Sequence, residues 1–464
     1  MLKVLKNLKE SWLSVIAIVL LLIVQAAGDL TLPDYTSKIV NIGIQSGGIE
    51  NPAPEVIRKS EMDNLLIFTE DDEQILNDYK EISKENLDEK EYEKLVKKYS
   101  ALENETLYEV KKLNSEEQTQ LNNMMTKPLM MLSSLENEET ANSMKEQMLS
   151  SMPANMPEQQ KIAMQNMELI DIIKQMPKEQ IDKMLETVNE KLDNMQNSIL
   201  EQAAIQQVKK EYKAIGIDTD NLQNKYIIIA GLKMLGISFI IMASAISIMC
   251  LSARVAAKLA KTLREKTFKK ELKFSNKEFS EYSTASLITR STNDIQQIQG
   301  LIAILFRVLV YAPIIGIGGF LRVLSQSDNS MAWIIGVAIL AILFVVATLF
   351  IIAMPRFKKL QELIDKLNLV AREILTGLPV IRAFNTEKKE EKRFDKANVD
   401  LTKTNLFVNR AMSFMMPTLM LIMNAISLLI VWVGAHGIDN GTMQVGNMMA
   451  FIQYTMQIVM SFLM

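Results

Sequence analysis

The chain has 464 residues, a mean hydropathy of +0.09 and a formal net charge of −3. That charge averages two unlike parts. Asn51 to Asp220 holds 35 acidic and 20 basic residues, while the remainder is net basic. The basic part abuts apolar runs and forms no soluble basic face, which argues against nucleic acid as a partner. Cys250 is the one cysteine, so no intrachain disulfide can form, and the lone His436 without HExxH or CxxC spacing excludes a zinc site.

Apolar runs recur at Ser11–Gly28, Tyr226–Leu251, Leu301–Leu324, Met331–Met354, Met412–Val433 and Met443–Met464. Each is near or above the ~18–20 residues that a helix needs to cross a bilayer. Lys3, Lys6 and Lys9 before the first run also fit a secretory signal with Ala26–Gly28 at its end. The apolar character continues past Gly28, and five more runs follow, so the segment reads as a retained span. Leu30–Ile44 contains Pro33 and reads as a kinked extension of that span.

Positive charge sets the expected orientation. The N-terminal lysines place the N-terminus in the cytoplasm, and residues 45–225 then fall outside. Arg254, Lys258, Lys261, Arg264, Lys266, Lys269 and Lys270 follow the second run, and Arg356, Lys358, Lys359, Lys366, Arg372 and Arg382 follow the fourth. Both groups are expected inside. Short turns near Ser325–Ser330 and Gly434–Gly441 are expected outside, and six crossings return the C-terminus to the cytoplasm of a multi-pass cell-membrane protein.

Residues 45–225 are rich in Glu, Lys, Asn, Gln, Leu and Met. No glycine lies between Ile49 and Ile215. These are helix formers in long runs, which predicts a mainly helical insertion. Thirteen of the 31 methionines fall between Met124 and Met195. They suit an adaptable binding surface or, more simply, the core of a helical bundle.

Ser252–Phe274 and Pro355–Asn385 read as helices that run on beyond the membrane, each turning to climb back. Such hairpins suggest stiff levers reaching something below the bilayer.

Leu32–Ile44, the spacing of Phe274, Phe279, Ser283 and Leu287, the stretch Gly377–Asn385 and the pair Val445-Gly446 together resemble the membrane domain of exporter-type ABC transporters, the multidrug and peptide exporters among them. Leu32-Pro33-Asp34-Tyr35-Thr36-Ser37-Lys38-Ile39-Val40-Asn41-Ile42-Gly43-Ile44 is similar to the exit of the family's first span. In the first hairpin Phe274, Phe279, Ser283, Leu287, Thr289, Arg290, Asn293 and Asp294 follow the family spacing, with Ser283 where glycine is usual. In the second, Ala371-Arg372-Glu373, Gly377-Leu378-Pro379-Val380-Ile381-Arg382-Ala383-Phe384-Asn385 and Glu387, Glu390, Arg393 and Phe394 match, with Pro379 as a departure. Val445-Gly446 with Met449-Ala450-Phe451 resembles the start of the sixth span.

The resemblance covers residues 1–44 and 226–464 and leaves the 45–225 insertion uncovered. It implies an all-α membrane protein of six transmembrane helices. It also implies two cytoplasmic coupling turns, near Asn276–Ser283 and Gly377–Phe384, with Asn276, Phe279, Ser283, Gly377, Ile381, Arg382 and Phe384 as the residues facing an ATPase domain. The partners it implies are the bilayer, a second half-transporter (identical or related) and ATPase domains. ATP and Mg²⁺ would bind on an ATPase domain expected after residue 464. No GxxxxGK[ST] occurs in this sequence, so no ATPase activity is expected of it alone and no cofactor is expected within it.

Candidates for a substrate path are Arg307, a charge inside the third run, and two faces at helical spacing. These are Met416, Met420 and Met423 in the fifth run and Gln453, Met456, Gln457 and Met460 in the sixth. Each face also suits plain helix packing, and Arg307 could snorkel to a surface. Lys233 reads as a snorkelling residue, and Gly316–Phe320 as a close-packing stretch. The expected function is export of amphipathic small molecules, peptides or lipids by alternating access. The alternatives are a sensor with an extracellular helical ligand-binding domain and a secondary transporter. The few acids inside the spans disfavour the latter.

Overall fold

The computed structural model describes residues 11–69, 71–136, 141–142, 169–192, 197–275, 278, 282, 284–325, 331–440 and 442–464. The chain packs as two units. One comprises Met1–Ala26, Ile248–Val433 and Ile452–Met464, and the other comprises Ala27–Ser247 and Gly434–Phe451.

The long helices arise from uninterrupted Leu, Ile, Val and Met. Helix α1 (Trp12–Lys38) runs through Pro33 and continues as a π-type turn over Ile39–Gln45. Proline cannot donate to the carbonyl four residues earlier, yet the expected kinked extension stays helical. Among the described residues, five stretches are long and apolar enough to cross a membrane: Trp12–Gln45, Thr219–Glu271, Thr284–Ser325, Ala332–Thr376 and Glu387–Asp439. The sixth expected run forms a helix over Val445–Leu463. Asn447, Gln453 and Gln457 dilute its apolarity, so it does not join the five.

Residues 45–225 are not purely helical. Strands β1 (Val56–Arg58), β2 (Tyr79–Ile82) and β3 (Leu107–Val110) form an antiparallel sheet in the order β1-β3-β2. Tyr108 pairs with Ile57 on one side and Glu81 on the other. Around it run α2 (Lys59–Leu66), α3 (Asp72–Asp78), α4 (Glu89–Lys98), α5 (Ser115–Glu136), α6 (Leu169–Lys174), α7 (Lys178–Leu192) and α8 (Asn197–Ile215). Helices α5 and α8 pack along each other. Met62, Met125 and Met131 are buried in this core, and Met124, Met130, Met176 and Met184 pack against it. These methionines therefore fill a core. Others of the cluster, from Met144 to Met167 and Met195, lie outside the described residues.

A charged tie crosses this unit. Glu211 of α8 is almost fully buried and takes the Arg58 guanidinium on both oxygens, with Nε–Oε1 at 3.0 Å and Nη2–Oε2 at 2.7 Å. It also accepts the Arg58 backbone N–H at 2.8 Å. The Arg58 pKa is raised, chiefly by that side-chain hydrogen bond.

Helix α9 (Thr219–Glu271) is continuous over 53 residues. Its later part packs on the start of α1 and on the third long helix through Ile18, Leu22, Val255, Leu259, Ile302 and Phe306. That third helix is built from α10 (Thr284–Thr289), a π segment Arg290–Asp294, α11 (Ile295–Phe306), a second π segment Arg307–Tyr311 and α12 (Ala312–Ser325). Pro313 follows the second π segment and withholds an N–H from the helical ladder there, a recognised cause of local rewinding. Gly316 lies so close to Ser461 that an added Cβ would sit 2.8 Å from its Oγ, which agrees with close packing as this stretch's role.

Helices α13 (Ala332–Thr376), α14 (Leu378–Ala383), α15 (Glu387–Asp439) and α16 (Val445–Leu463) complete the chain. The turn expected at Gly434–Gly441 begins later, because α15 stays helical to Asp439. The turn expected near Ser325–Ser330 falls on 326–330, outside the described residues.

Candidate functional site

The second hairpin is the better defined of the two. Helix α13 is 45 residues long, so it measures about 70 Å, more than twice a bilayer's apolar thickness. It ends where Gly377 donates to the Glu373 carbonyl at 2.9 Å. Pro379 lies in the first turn of α14, where a missing N–H leaves no helical bond unmade. The departure from the family pattern is thereby harmless. Asn385 takes a left-handed conformation with φ of 54°, a region that asparagine tolerates better than most residues. Thr386 then donates N–H to the Ile381 carbonyl at 3.0 Å, and its own carbonyl opens α15.

The arms of this hairpin are joined by charge. Arg393 of α15 bonds Glu373 of α13, and its other amino group reaches Glu390 at 3.3 Å. The Arg393 pKa is raised, first by the Glu373 bond and then by Glu390. Glu373, Glu390 and Arg393 thus work as a clasp that fixes the hairpin. The tip carries apolar side chains in the open: Phe384 is 75% exposed and Val380 60%. Arg382 is exposed, while Gly377 and Ile381 are half-buried.

In the first hairpin Asn276, Phe279 and Ser283 lie outside the described residues. Their flanks are defined. Ser275 and Glu278 cap one another, Ser275 N–H reaching Glu278 Oε2 at 2.8 Å and Glu278 N–H reaching Ser275 Oγ at 3.4 Å. That backbone bond lowers the Glu278 pKa. The Phe274 and Tyr282 rings stack at 6.2 Å, and the Arg290 guanidinium lies 4.9 Å over Tyr282. Phe274 and Arg290, matched to the family at sequence level, therefore meet through Tyr282, which the sequence did not single out.

The expected path residues lie on three different helices. Arg307 is exposed and opens the π segment. Met416 and Met420 are 70% and 68% exposed, and Met423 is half-buried. Gln453, Met456 and Gln457 are half-buried, and Met460 is exposed. Between α13 and α15 lies a groove of about 460 Å³, whose lining includes Phe344, Phe407, Phe414, Thr348 and one cation, Arg410. Arg410 precedes the fifth apolar run by two residues, so the run itself does not mark it. A cation spaced among phenylalanines was the available signal.

Two family-like stretches far apart in sequence also meet. Asn41 and Ser37 near the end of the first long helix bond Asn447 Oδ1 at 3.1 and 2.8 Å. Asn41 Oδ1 accepts the Gly446 N–H at 2.8 Å.

The family model for the ABC transporter transmembrane region matches residues 214–462. An uncharacterized ABC transporter ATP-binding protein of Mycobacterium bovis is 37% identical over 238 residues, which is 50% of this chain and 40% of that protein. A second uncharacterized ABC transporter ATP-binding protein, from Bacillus subtilis, is 32% identical over 239 residues, 50% of this chain and 41% of that protein. An ATP-dependent lipid A-core flippase of Pseudomonas aeruginosa is 28% identical over 208 residues, 43% of this chain and 33% of that protein. The chain thus spans well under two thirds of these relatives' length. The match runs through the spans that a receptor would not need and gives the sensor alternative no support. With more than half of its length matched, this multi-pass membrane protein belongs to the ABC transporter transmembrane region family.

Proposed function

We propose that the chain is the membrane half of an ATP-driven exporter that moves amphipathic molecules out of the cytoplasm by alternating access. The observation that carries this reading is the second hairpin's tip. A stiff pair of helices, clasped by Glu373–Arg393–Glu390, holds Phe384 and Val380 bare in water. Exposed apolar side chains at the end of a lever are explained by a partner that covers them. In this reading the partner is an ATPase domain, where ATP and Mg²⁺ bind, and a second half-transporter completes the pathway.

The residues proposed to meet the ATPase domain are Asn276, Phe279 and Ser283 in one turn and Gly377, Ile381, Arg382 and Phe384 in the other. Arg307, the Met416–Met423 face and the Gln453–Met460 face remain proposed path residues, joined by Arg410. A cation among aromatics suits amphiphiles with an anionic head. The flippase relative supports lipids within that class.

Six crossings are proposed, with both termini in the cytoplasm and residues 45–225 outside. In a chain whose Cys250 has been replaced, a cysteine at exposed Ser115 is modified by an impermeant reagent from outside, and one at Ser275 only after permeabilisation. The reverse pattern removes the topology and the export direction with it.

A further inference from the structure

Where α1 and α9 leave their apolar stretches, a cleft of about 370 Å³ opens between them and the start of the 45–225 segment. The two helices approach closely on either side of it. A Cβ at Gly28 would lie 2.7 Å from Ile241, and one at Gly43 would lie 3.0 Å from Ile227. Lys38 of α1 and Lys233 of α9 both line the cleft, together with Tyr35, Tyr226, Tyr212 and two carboxylates, Glu50 and Glu55. Lys38 lies 5.9 Å over the Tyr35 ring. Neither lysine has a carboxylate partner among the described residues.

The depth of this cleft follows from the sequence. Residues 234–253 of α9 carry no charge, and Lys233 and Arg254 bracket them. At 1.5 Å per residue that run is about 30 Å, one apolar bilayer thickness. Counting along α1 from Trp12, the same thickness ends near Leu32, just short of Tyr35 and Lys38. Both helices therefore put the two lysines and Tyr35 at headgroup level, with Tyr226 two turns further along α9, where amphipathic aromatics and snorkelling lysines settle. Apolar side chains continue below and beside the cleft, with Leu232 62% and Leu235 56% exposed.

We infer that this cleft binds a phospholipid, its phosphate between the Lys38 and Lys233 ammonium groups and its chains along the exposed strip of α9. Two cations on separate helices give a phosphate two contacts that a surface lysine alone does not. Glu50 and Glu55, which share the lining, oppose an anion and tune the site. The inference stands apart from the export reading, because headgroup depth does not depend on which side faces out.

The test uses the purified full chain in detergent and native mass spectrometry, with phosphatidylglycerol, diacylglycerol of the same chains, and glycerol phosphate as probes. Phosphatidylglycerol is expected to be retained and diacylglycerol not. Lys38→Ala with Lys233→Ala should weaken retention about tenfold, since each basic residue near an anionic lipid contributes appreciably. Lys38→Arg with Lys233→Arg should keep it, and Glu50→Gln should strengthen it. Equal retention of diacylglycerol, or of phosphatidylglycerol by the double alanine variant, overturns the site. Glycerol phosphate binding as tightly as the lipid would make this a free-anion site and overturn the lipid assignment.

Discussion

Asn41 Oδ1 accepts the backbone N–H of Gly446 at 2.8 Å, across 405 positions of sequence. The same asparagine donates to Asn447 Oδ1 at 3.1 Å, and Ser37 Oγ joins it at 2.8 Å. Ser37, Asn41 and Gly446 are all buried. The joint ties the end of the first long helix to the first turn of α16 without any charge.

Glycine is required at this joint. A Cβ at Gly446 would stand 2.5 Å from the Ser37 carbonyl oxygen and closer still to Asn41 Oδ1. Gly446→Ala should therefore force the helices apart and lower the melting temperature in detergent. Asn41→Ala leaves the Gly446 N–H and Asn447 without that partner and should cost about 1–3 kcal/mol. Hydrogen exchange in the first turn of α16 should quicken in both variants. Unchanged exchange would show that the joint bears no strain and little stability.

Glu211→Ala strips a bidentate partner and a backbone acceptor from Arg58. A fully buried pair broken on one side costs about 3–5 kcal/mol. The Arg58 side chain is 29% exposed, so water recovers part of that, and about 2 kcal/mol is expected. Limited proteolysis of residues 45–225 should accelerate, while cleavage in the second hairpin should not.

The clasp in that hairpin behaves differently. The Arg393 and Glu373 side chains are 49% and 46% exposed, so solvent screens them. Arg393→Ala should shift the melting temperature hardly at all. Spin labels at Leu375 and Lys389 should nevertheless report a broader distance distribution. A charge reversal, Glu373→Arg with Arg393→Glu, should restore the narrow one.

Alkali should loosen the 45–225 segment. Tyr79 is fully buried and donates to the Pro54 carbonyl at 2.8 Å, and burial pushes its pKa well above the ordinary 10.0. Burial raises Tyr212 as well. A folded-state pKa above the unfolded value means that the neutral phenols favour folding fully below pH 10, and that this support disappears as pH climbs through the folded values. Tyrosinate absorbance should therefore rise in a late cooperative step together with loss of helical circular dichroism. Tyr79→Phe should move that step upward in pH while costing about 1 kcal/mol at neutral pH. Independent titration of every tyrosine near pH 10 with structure intact would contradict this.

The long helices were legible because their signal is local: runs of Leu, Ile, Val and Met bracketed by Lys and Arg. The second hairpin was legible as a motif, and the structure supplies reasons for particular residues. Asn385 holds a left-handed turn, Pro379 opens α14, and Arg393 joins two helices. Short strands were not legible. Val56–Arg58, Tyr79–Ile82 and Leu107–Val110 are three or four residues each among helix formers, and their pairing partners lie up to 53 positions away. The Asn41–Gly446 bond was equally hidden. Both stretches were recognised separately, but no pattern along the chain reports that two distant polar groups share one hydrogen bond.

We propose that the exposed tip of the second hairpin carries ATP energy to the spans. The direct measurement is transport and substrate-stimulated ATP hydrolysis in reconstituted vesicles, by the complete transporter with Phe384→Ala. Phe384 is 75% exposed, so its truncation removes no core contact and membrane insertion should be unchanged. A large loss of transport is expected, with hydrolysis no longer stimulated by substrate. Transport at the parental rate would show that Phe384 merely decorates a turn, and that force reaches the spans by another route.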